Sequence, residues 1–197
     1  NAVNFMDGAN GLSMGMAAIA SAGCCVVASV LGKPDVAVSA AALTGGLCGF
    51  LVWNMSGKLF AGDAGALAVG ALLAGLSLEI VREWPQLVLV PVILLMPFLS
   101  DVFLTLIWRV KHGKNLFEAH RDHVYQIALK ANLKHWQVSA VHAVWALNAA
   151  IVAILAALLQ RQLPVILFVL LLAVSTWLHL KVRSAGVRNG LVGKDIA

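Results

Sequence analysis

Residues 135–180 read HWQVSAVHAVWALNAAIVAILAALLQRQLPVILFVLLLAVSTWLHL, with Arg161 the one Asp, Glu, Lys or Arg in the stretch. A helix rises 1.5 Å per residue, so the hydrocarbon core of a bilayer needs about 20 apolar residues. The runs 135–160 and 162–180 each meet that length. They are rich in Ala and Leu and lack period-two alternation, which argues against strands. An open sheet in hydrocarbon would also leave unpaired edges. Working outward, four more windows appear. Residues 8–32 and 36–57 carry no charge, 64–84 carries Glu79, Arg82 and Glu83 only at its far end, and 86–108 carries only Asp101. The whole chain of 197 residues is 61% hydrophobic and 12% charged, against about 25% charged in a soluble domain. Its mean hydropathy is +0.90. So few charges cannot cover a soluble surface, and disorder needs the opposite composition. The expected fold is an all-α integral membrane protein with about six transmembrane helices in one domain, 1–197. The chain opens on Asn1 without a signal peptide. It is therefore expected to be the C-terminal portion of a longer protein, part of a larger helical bundle whose upstream spans it lacks.

Alternating spans sort the connections onto two sides. One side receives Lys58, the loop 109–135 with Arg109, Lys111, Lys114, Arg121, Lys130 and Lys134, and the tail with Lys181, Arg183, Arg188 and Lys194. The other receives Lys33, Arg82 and Arg161. Eleven basic residues against three make the first side, with both chain ends, cytoplasmic. The net charge of +5 then reports topology, and no nucleic-acid partner is expected. Trp53, Trp84, Trp108 and Trp136 fall near span ends, as interfacial anchors do. Cys24, Cys25 and Cys48 lie in apolar runs without ligand spacing and read as small core residues.

Three polar clusters, far apart in sequence, land on that same side. They are Asn1-Ala-Val-Asn4-Phe-Met-Asp7-Gly8-Ala-Asn10-Gly11-Leu12, Lys58-Leu-Phe60-Ala-Gly62-Asp63-Ala-Gly65, and Glu118-Ala-His120-Arg121-Asp122-His123-Val-Tyr125-Gln126. Their common side predicts one composite site. Asp7 with Asn10, and Asp63, each open a span, where free N–H groups and the helix dipole favour a phosphate-rich ligand. Asp63 adds a carboxylate and Asn4 an amide oxygen, a set that suits Mg²⁺, which keeps water and substrate phosphates in its shell. His120, Arg121 and His123 add donors for phosphate oxygens. Each feature also has a plainer reading. Asp7 and Asp63 serve as helix caps, the glycines serve close packing, and the histidines are solvated loop residues. His142 reads as a hydrogen-bonded packing residue. Asp101 is an intramembrane carboxylate, hence a functional candidate, with a buried pairing role as its counterpart.

The first cluster resembles the N-x-x-N-x-x-D-G-x-[ND]-G-L motif of the polyprenyl-phosphate N-acetylhexosamine-1-phosphate transferases, glycosyltransferase family 4. The second is similar to their A-K-x-F-x-G-D-x-G-S-L motif, and the third to the histidine loop of the bacterial lipopolysaccharide- and O-antigen-initiating branch. The resemblance covers residues 1 to about 130. It implies an integral-membrane, helical enzyme of the bacterial inner membrane with a cytoplasmic site. Such an enzyme moves a sugar 1-phosphate from a UDP-sugar to polyprenyl (undecaprenyl) phosphate and releases UMP. It implies Asn4 and Asp63 as ligands of Mg²⁺, with Mn²⁺ an alternative. Asn10 would contact the uracil and Phe60 would stack near it. His120, Arg121 and His123 would hold the diphosphate, and Asp7 would lie beside the metal and acceptor. Asp7, Asp63 and His123 form the implied catalytic set. Membrane lipids are implied partners, and a homodimer is allowed for.

The chain departs from the pattern in several places. The aspartate-rich motif is absent and is expected upstream, so this portion alone is expected to be inactive if separated. Ser56-Gly57 stands where Pro-Ala is common, and Ala66 replaces a Ser. Tyr125-Gln126 replaces two members of a longer histidine cluster, which counts against the peptidoglycan-precursor branch and leaves the sugar open. The reaction is attack by a lipid phosphate oxygen on the β-phosphorus of the donor, one anion on another. Screening and charge stabilisation are therefore the protein's main task. A direct step is the preferred route, and a phosphorylated aspartate is the runner-up. The rival classes are a transporter using Asp101 and Glu79, and a non-catalytic membrane scaffold.

Overall fold

The computed structural model describes residues 1–116, 118, 120–159 and 163–192. Arg161 and Lys194, both used in the charge count, lie outside the described residues. Every regular element in the described residues is helical. A short α1 (Ala2–Phe5) leads into α2 (Leu12–Val30), α3 (Pro34–Asn54) and α4 (Gly62–Glu83). A 3₁₀ turn at Pro85–Leu87 precedes α5 (Leu89–Leu94) and α6 (Met96–Lys111). Then come α7 (Val124–Lys130), α8 (His135–Leu159) and α9 (Leu163–Arg188).

Five helices, α2, α3, α4, α8 and α9, are long and apolar enough to cross a membrane, and the pair α5–α6 makes a sixth crossing if counted as one span. The span expected over 86–108 is a broken one: its two halves are bent by 78°. The cause is local. Pro97 sits in the first turn of α6, where it has no N–H to give back to the preceding turn. Its ring also disfavours helical backbone in the residue before it, so a continuous ladder cannot run through this point.

Helix α2 is the centre of the bundle and packs on α3 and α8. Its buried face is built of Ser, Ala, Gly and Met, including Met14, Ala17, Ala20, Ser21, Gly23 and Cys24. Small residues let helices approach closely where hydrocarbon supplies no hydrophobic drive between them. The Ser21 hydroxyl donates to the Ala40 carbonyl across the α2–α3 seam at 2.8 Å. The outer faces carry exposed Val52, Leu72, Leu78 and Val169, which suits contact with lipid tails. Cys24 is buried, but Cys48 is exposed and all three cysteines are free. The core reading of Cys48 is thereby corrected: a small apolar residue sits as well on a lipid-facing flank as inside.

Packing at Gly23 gives a sharp expectation. A Cβ there would lie 2.6 Å from Leu94 Cδ2 and 3.1 Å from Ala150 Cβ, whereas at Gly45 it would meet nothing within 4 Å. Gly23→Val should lower stability by about 1–3 kcal/mol through overpacking. Gly45→Ala should be neutral or slightly stabilising, since Ala is the better helix former. Thermal unfolding in one detergent compares the two.

Candidate active site

The three polar clusters meet at one end of the bundle. Helix α1 ends at Phe5, and the chain then turns through Met6–Asn10 before α2 begins. Gly11 takes a left-handed φ of 78° at the N-cap of α2, a conformation glycine adopts without a Cβ penalty. No side chain of α2 or α4 caps its own helix. Instead the Gly11 N–H donates to Asn54 Oδ1 at 2.7 Å, and Asn54 Nδ2 donates to the Leu59 carbonyl at 2.8 Å. Asn54, buried at the end of α3, thus ties the first cluster to the second. Asn10 is held by its backbone, its N–H donating to His135 Nδ1 at 3.2 Å and its carbonyl accepting from the Ser139 hydroxyl at 2.7 Å. The Asn10 amide nitrogen reaches to 3.1 Å from where a Cβ of Gly57 would stand.

Asp7 and Asp63 lie close enough to oppose each other's charge. Burial raises the Asp7 carboxyl above its ordinary acid constant. The bond from the Ser13 hydroxyl works the other way, and the Asp63 charge adds to the rise. Asp63 is exposed within the first turn of α4, not at its cap, so the cap reading does not describe it. Asn4 is half-buried on α1, and Phe60 stands 67% exposed in the α3–α4 loop.

The histidine loop closes over the other side of α1. Tyr125 is buried and its hydroxyl donates to the Phe5 carbonyl at 3.1 Å. The His123 ring stacks with Phe5 and Tyr125 at 6.1 Å between centroids and with His120 at 5.2 Å. Burial and the neighbouring Arg109 guanidinium push the His120 imidazole down to about 4. Arg121 is exposed.

A buried polar cluster that the sequence reading missed holds this loop. Arg109 donates to Asp122 Oδ2 and to the Asn115 carbonyl, both at 2.5 Å. From α9, Arg183 Nη2 donates to the Asp122 carbonyl at 2.7 Å and the Thr105 hydroxyl at 2.9 Å, and Nε donates to His179 at 3.1 Å. Burial works against the Asp122 carboxylate. The Arg109 bond and the Lys114 charge more than offset it and hold the group below the ordinary carboxylate range. Trp108 serves this cluster too, with Arg183 4.6 Å and Lys114 4.7 Å from its ring centre. Asp101 has the buried pairing role, lying 3.6 Å from both His123 and His179. His142 Nδ1 bonds the Val138 carbonyl at 2.8 Å, the packing role expected for it. Glu79 pairs with Arg82 at 3.6 Å on an exposed face of α4, so it shares no polar path with Asp101 among the described residues.

The donors around α1 are hard oxygens: two carboxylates and the Asn4 amide. Among the described residues no three His, Cys, Asp or Glu side chains form a group that could hold a metal ion by themselves. A cage made wholly of such side chains is therefore not what these residues build. The set fits a cation that takes one or two protein oxygens and fills its shell with water and phosphate, as Mg²⁺ does.

The model of glycosyl transferase family 4 matches residues 1–81. The chain is similar to the phospho-N-acetylmuramoyl-pentapeptide-transferase of Listeria welshimeri, 36% identical over 118 residues, or 59% of this chain and 36% of the relative. It is similar to that of Limosilactobacillus fermentum, 39% identical over 119 residues, 60% of this chain and 37% of the relative. For Streptococcus pneumoniae the figures are 34% over 118 residues, 59% and 36%. The chain spans little more than a third of the length of the curated relatives it matches. No solved structure matches it. The resemblance to glycosyl transferase family 4 is thus shown over residues 1–81, which contain Asn4, Asp7, Asn10, Phe60 and Asp63. The relatives named here carry the muramoyl-pentapeptide name, the branch that Tyr125-Gln126 counted against, and they lend no support to the lipopolysaccharide branch.

Two measurements test this geometry. A Cβ at Gly8 would stand 2.2 Å from the Tyr125 hydroxyl oxygen. Gly8→Ala should cost about 1–3 kcal/mol by overpacking, and adding Tyr125→Phe should recover part of that loss, a coupling readable in a double-mutant cycle. The depressed His120 value means the unfolded chain takes its proton first. Stability should therefore fall as pH drops from about 6.5 toward about 4. Melting temperature against pH should show a smaller fall in His120→Gln.

Proposed function

We propose that the protein transfers a sugar 1-phosphate from a UDP-sugar to polyprenyl phosphate and releases UMP. The site would be the cytoplasmic end of the helices in a bacterial inner membrane. The observation that carries this reading is the meeting of the three clusters around α1, with Asp7 and Asp63 near enough to oppose each other's charge on one flank and His123 stacked on Phe5 on the other. The two flanks supply opposite chemistry. Carboxylates and the Asn4 amide present hard oxygens, while His120, Arg121 and His123 present donors to anionic oxygen. Such a site accepts a pyrophosphate bridged between a cation and basic side chains. A divalent cation held by Asn4 and Asp63 would screen the two phosphates and stabilise charge on the departing UMP. The chain's own residues do the rest. Asn10, fixed by His135 and Ser139, presents its amide to the uracil edge. Phe60 presents an exposed ring on which a base stacks, worth roughly 1–3 kcal/mol by analogy with single-strand binding. The lipid phosphate oxygen forms a bond to the β-phosphorus as the bond from that phosphorus to the UMP oxygen breaks.

The sugar is read as an N-acetylamino sugar that opens a cell-surface glycan of the lipopolysaccharide type. Tyr125 and Gln126 support this over the muramoyl-pentapeptide donor named for the relatives. Tyr125 is committed to Phe5, and Gln126 accepts the His123 N–H at 3.1 Å. The Tyr125 hydroxyl is thereby turned away from acting as a further phosphate donor. The relatives' name favours the second reading, a phospho-N-acetylmuramoyl-pentapeptide donor.

The test is UMP release by the full-length protein in polyprenyl-phosphate vesicles. UDP-N-acetylhexosamine should support turnover and UDP-N-acetylmuramoyl-pentapeptide should not; the reverse result selects the second reading. Asp63→Asn should cut turnover by at least about 100-fold, the loss expected when a charge-stabilising group is removed, with the protein still inserted and monodisperse. Near-normal turnover at saturating Mg²⁺ would remove Asp63 from the metal shell.

A further inference from the structure

Asp101 lies midway along α6 and is 6% exposed, and its two oxygens have unlike surroundings. Oδ1 accepts the Val124 N–H at 3.0 Å and the Thr105 hydroxyl at 3.2 Å. His179 Nδ1 stands 3.6 Å from the same oxygen. His179 Nε2 accepts from Arg183, so the neutral His179 ring carries its proton on Nδ1 and turns it toward Oδ1. Oδ1 is therefore fully supplied. Oδ2 is buried without a hydrogen-bond partner, as is His123 Nδ1, and the two face each other at 3.6 Å. A buried carboxylate oxygen with no donor is costly. A separation of this size closes by a small ring rotation, as unliganded sites often require. The stacking with Phe5, His120 and Tyr125 limits the His123 ring to small rotations of this kind. What remains open is which nitrogen carries the proton.

We infer that Asp101 is a positioning residue: its Oδ2 holds the proton of His123 on Nδ1 and leaves Nε2 as the nitrogen that meets substrate. The competing partner is the Gln126 backbone N–H, which meets the His123 side chain in a capping box at the start of α7, short of a full hydrogen bond to Nδ1. That bond would require the opposite tautomer. The carboxylate wins because a charge-assisted bond is roughly twice as strong as a neutral one, and because Oδ2 has no other donor. The logic is that of an acid–imidazole pair, in which the carboxylate orients the ring without itself reacting. Helix α9 takes part at one remove, since His179 and Arg183 occupy the positions that keep Oδ1 and the Asp122 carbonyl saturated. All of these residues lie outside the segment 1–81 that matches the family.

The two oxygens make Asp101→Asn an unusually clear probe. Val124 and Thr105 demand an acceptor, so the new carbonyl oxygen takes the Oδ1 place and the new NH₂ lands against His123 Nδ1. That nitrogen must then accept, and the proton moves to Nε2. Nitrogen-15 spectra of the histidine-labelled full-length protein in nanodiscs, at pH 8 and so above the usual histidine range, read this directly. The His123 signal is assigned by its loss in His123→Gln. Wild type should show the proton on Nδ1, and Asp101→Asn should show it on Nε2. A wild-type proton on Nε2 would overturn the inference in favour of the cap, and that spectrum decides even where Asp101→Asn does not assemble. The kinetic arm rests on the transferase reading. Asp101→Asn should lower kcat by about 100-fold or more, with KM for the UDP-sugar changed less than threefold. The double variant with His123→Ala should be no slower than His123→Ala alone; losses that multiply would show that Asp101 acts by another route. If wild type releases no UMP from any donor, the transferase reading falls, while the tautomer spectra still decide the role of Asp101.

Discussion

Two carboxylates, Asp101 and Asp122, and two guanidiniums, Arg109 and Arg183, are each 6% exposed or less near one end of a bundle whose flanks face lipid. Charges removed from water in this way persist only when paired and hydrogen-bonded. The four match in formal charge, and bonds run between them and through Thr105, His179 and the loop backbone. Everything the histidine loop does depends on this arrangement. The described residues between α6 and α7 form no regular element. Its shape comes from Arg109 gripping the Asn115 carbonyl and Asp122, and from Arg183 gripping the Asp122 carbonyl. With Asp122 pinned, His123 and Tyr125 are delivered against α1.

The same constraint explains why α9 matters to a site that lies against α1. A loop rich in basic residues, left to itself, would extend into water. Here the last turns of α9 reach back under it, and Trp108 gives Arg183 and Lys114 an aromatic floor. Cation–π contact of this kind favours a desolvated guanidinium. The helix most remote in sequence from Asn4 thus stands behind the residue that stacks beside it.

Much of this architecture was legible in the sequence, and what was not has a common cause. Apolar runs fix where helices cross, because backbone groups in hydrocarbon must bond within their own segment; hence the agreement over 12–30, 34–54, 62–83 and 135–159. The same runs say nothing about direction, so the bend at Leu95 was invisible although Pro91 and Pro97 flank it. The motifs around Asn4, Asp63 and His123 were visible as polar islands, and their common end followed from counting crossings. Asn54 was not, since one amide in an apolar run looks like any tolerated polar residue until its two bonds to Gly11 and Leu59 are seen. Arg109 and Arg183 were visible but misread, as two more charges at the membrane surface.

That misreading bears on topology. The positive-inside rule counts Lys and Arg in short loops near span ends, whatever their later burial. Arg109 and Arg183, 3% and 2% exposed, are held inside the folded protein by acidic and carbonyl partners. Setting them aside lowers the basic count on the site's side from eleven to nine, against three on the other. With or without them the basic excess on the site's side keeps its sign. The two removed residues belong to a different argument. Their bonds to Asp122 and to the Asn115 carbonyl order the loop over α1. Buried, paired cations supply the order, while Lys111 and Arg121 stay exposed. The basic residues at this end of the bundle therefore fall into two populations, separated by burial and not by sequence position.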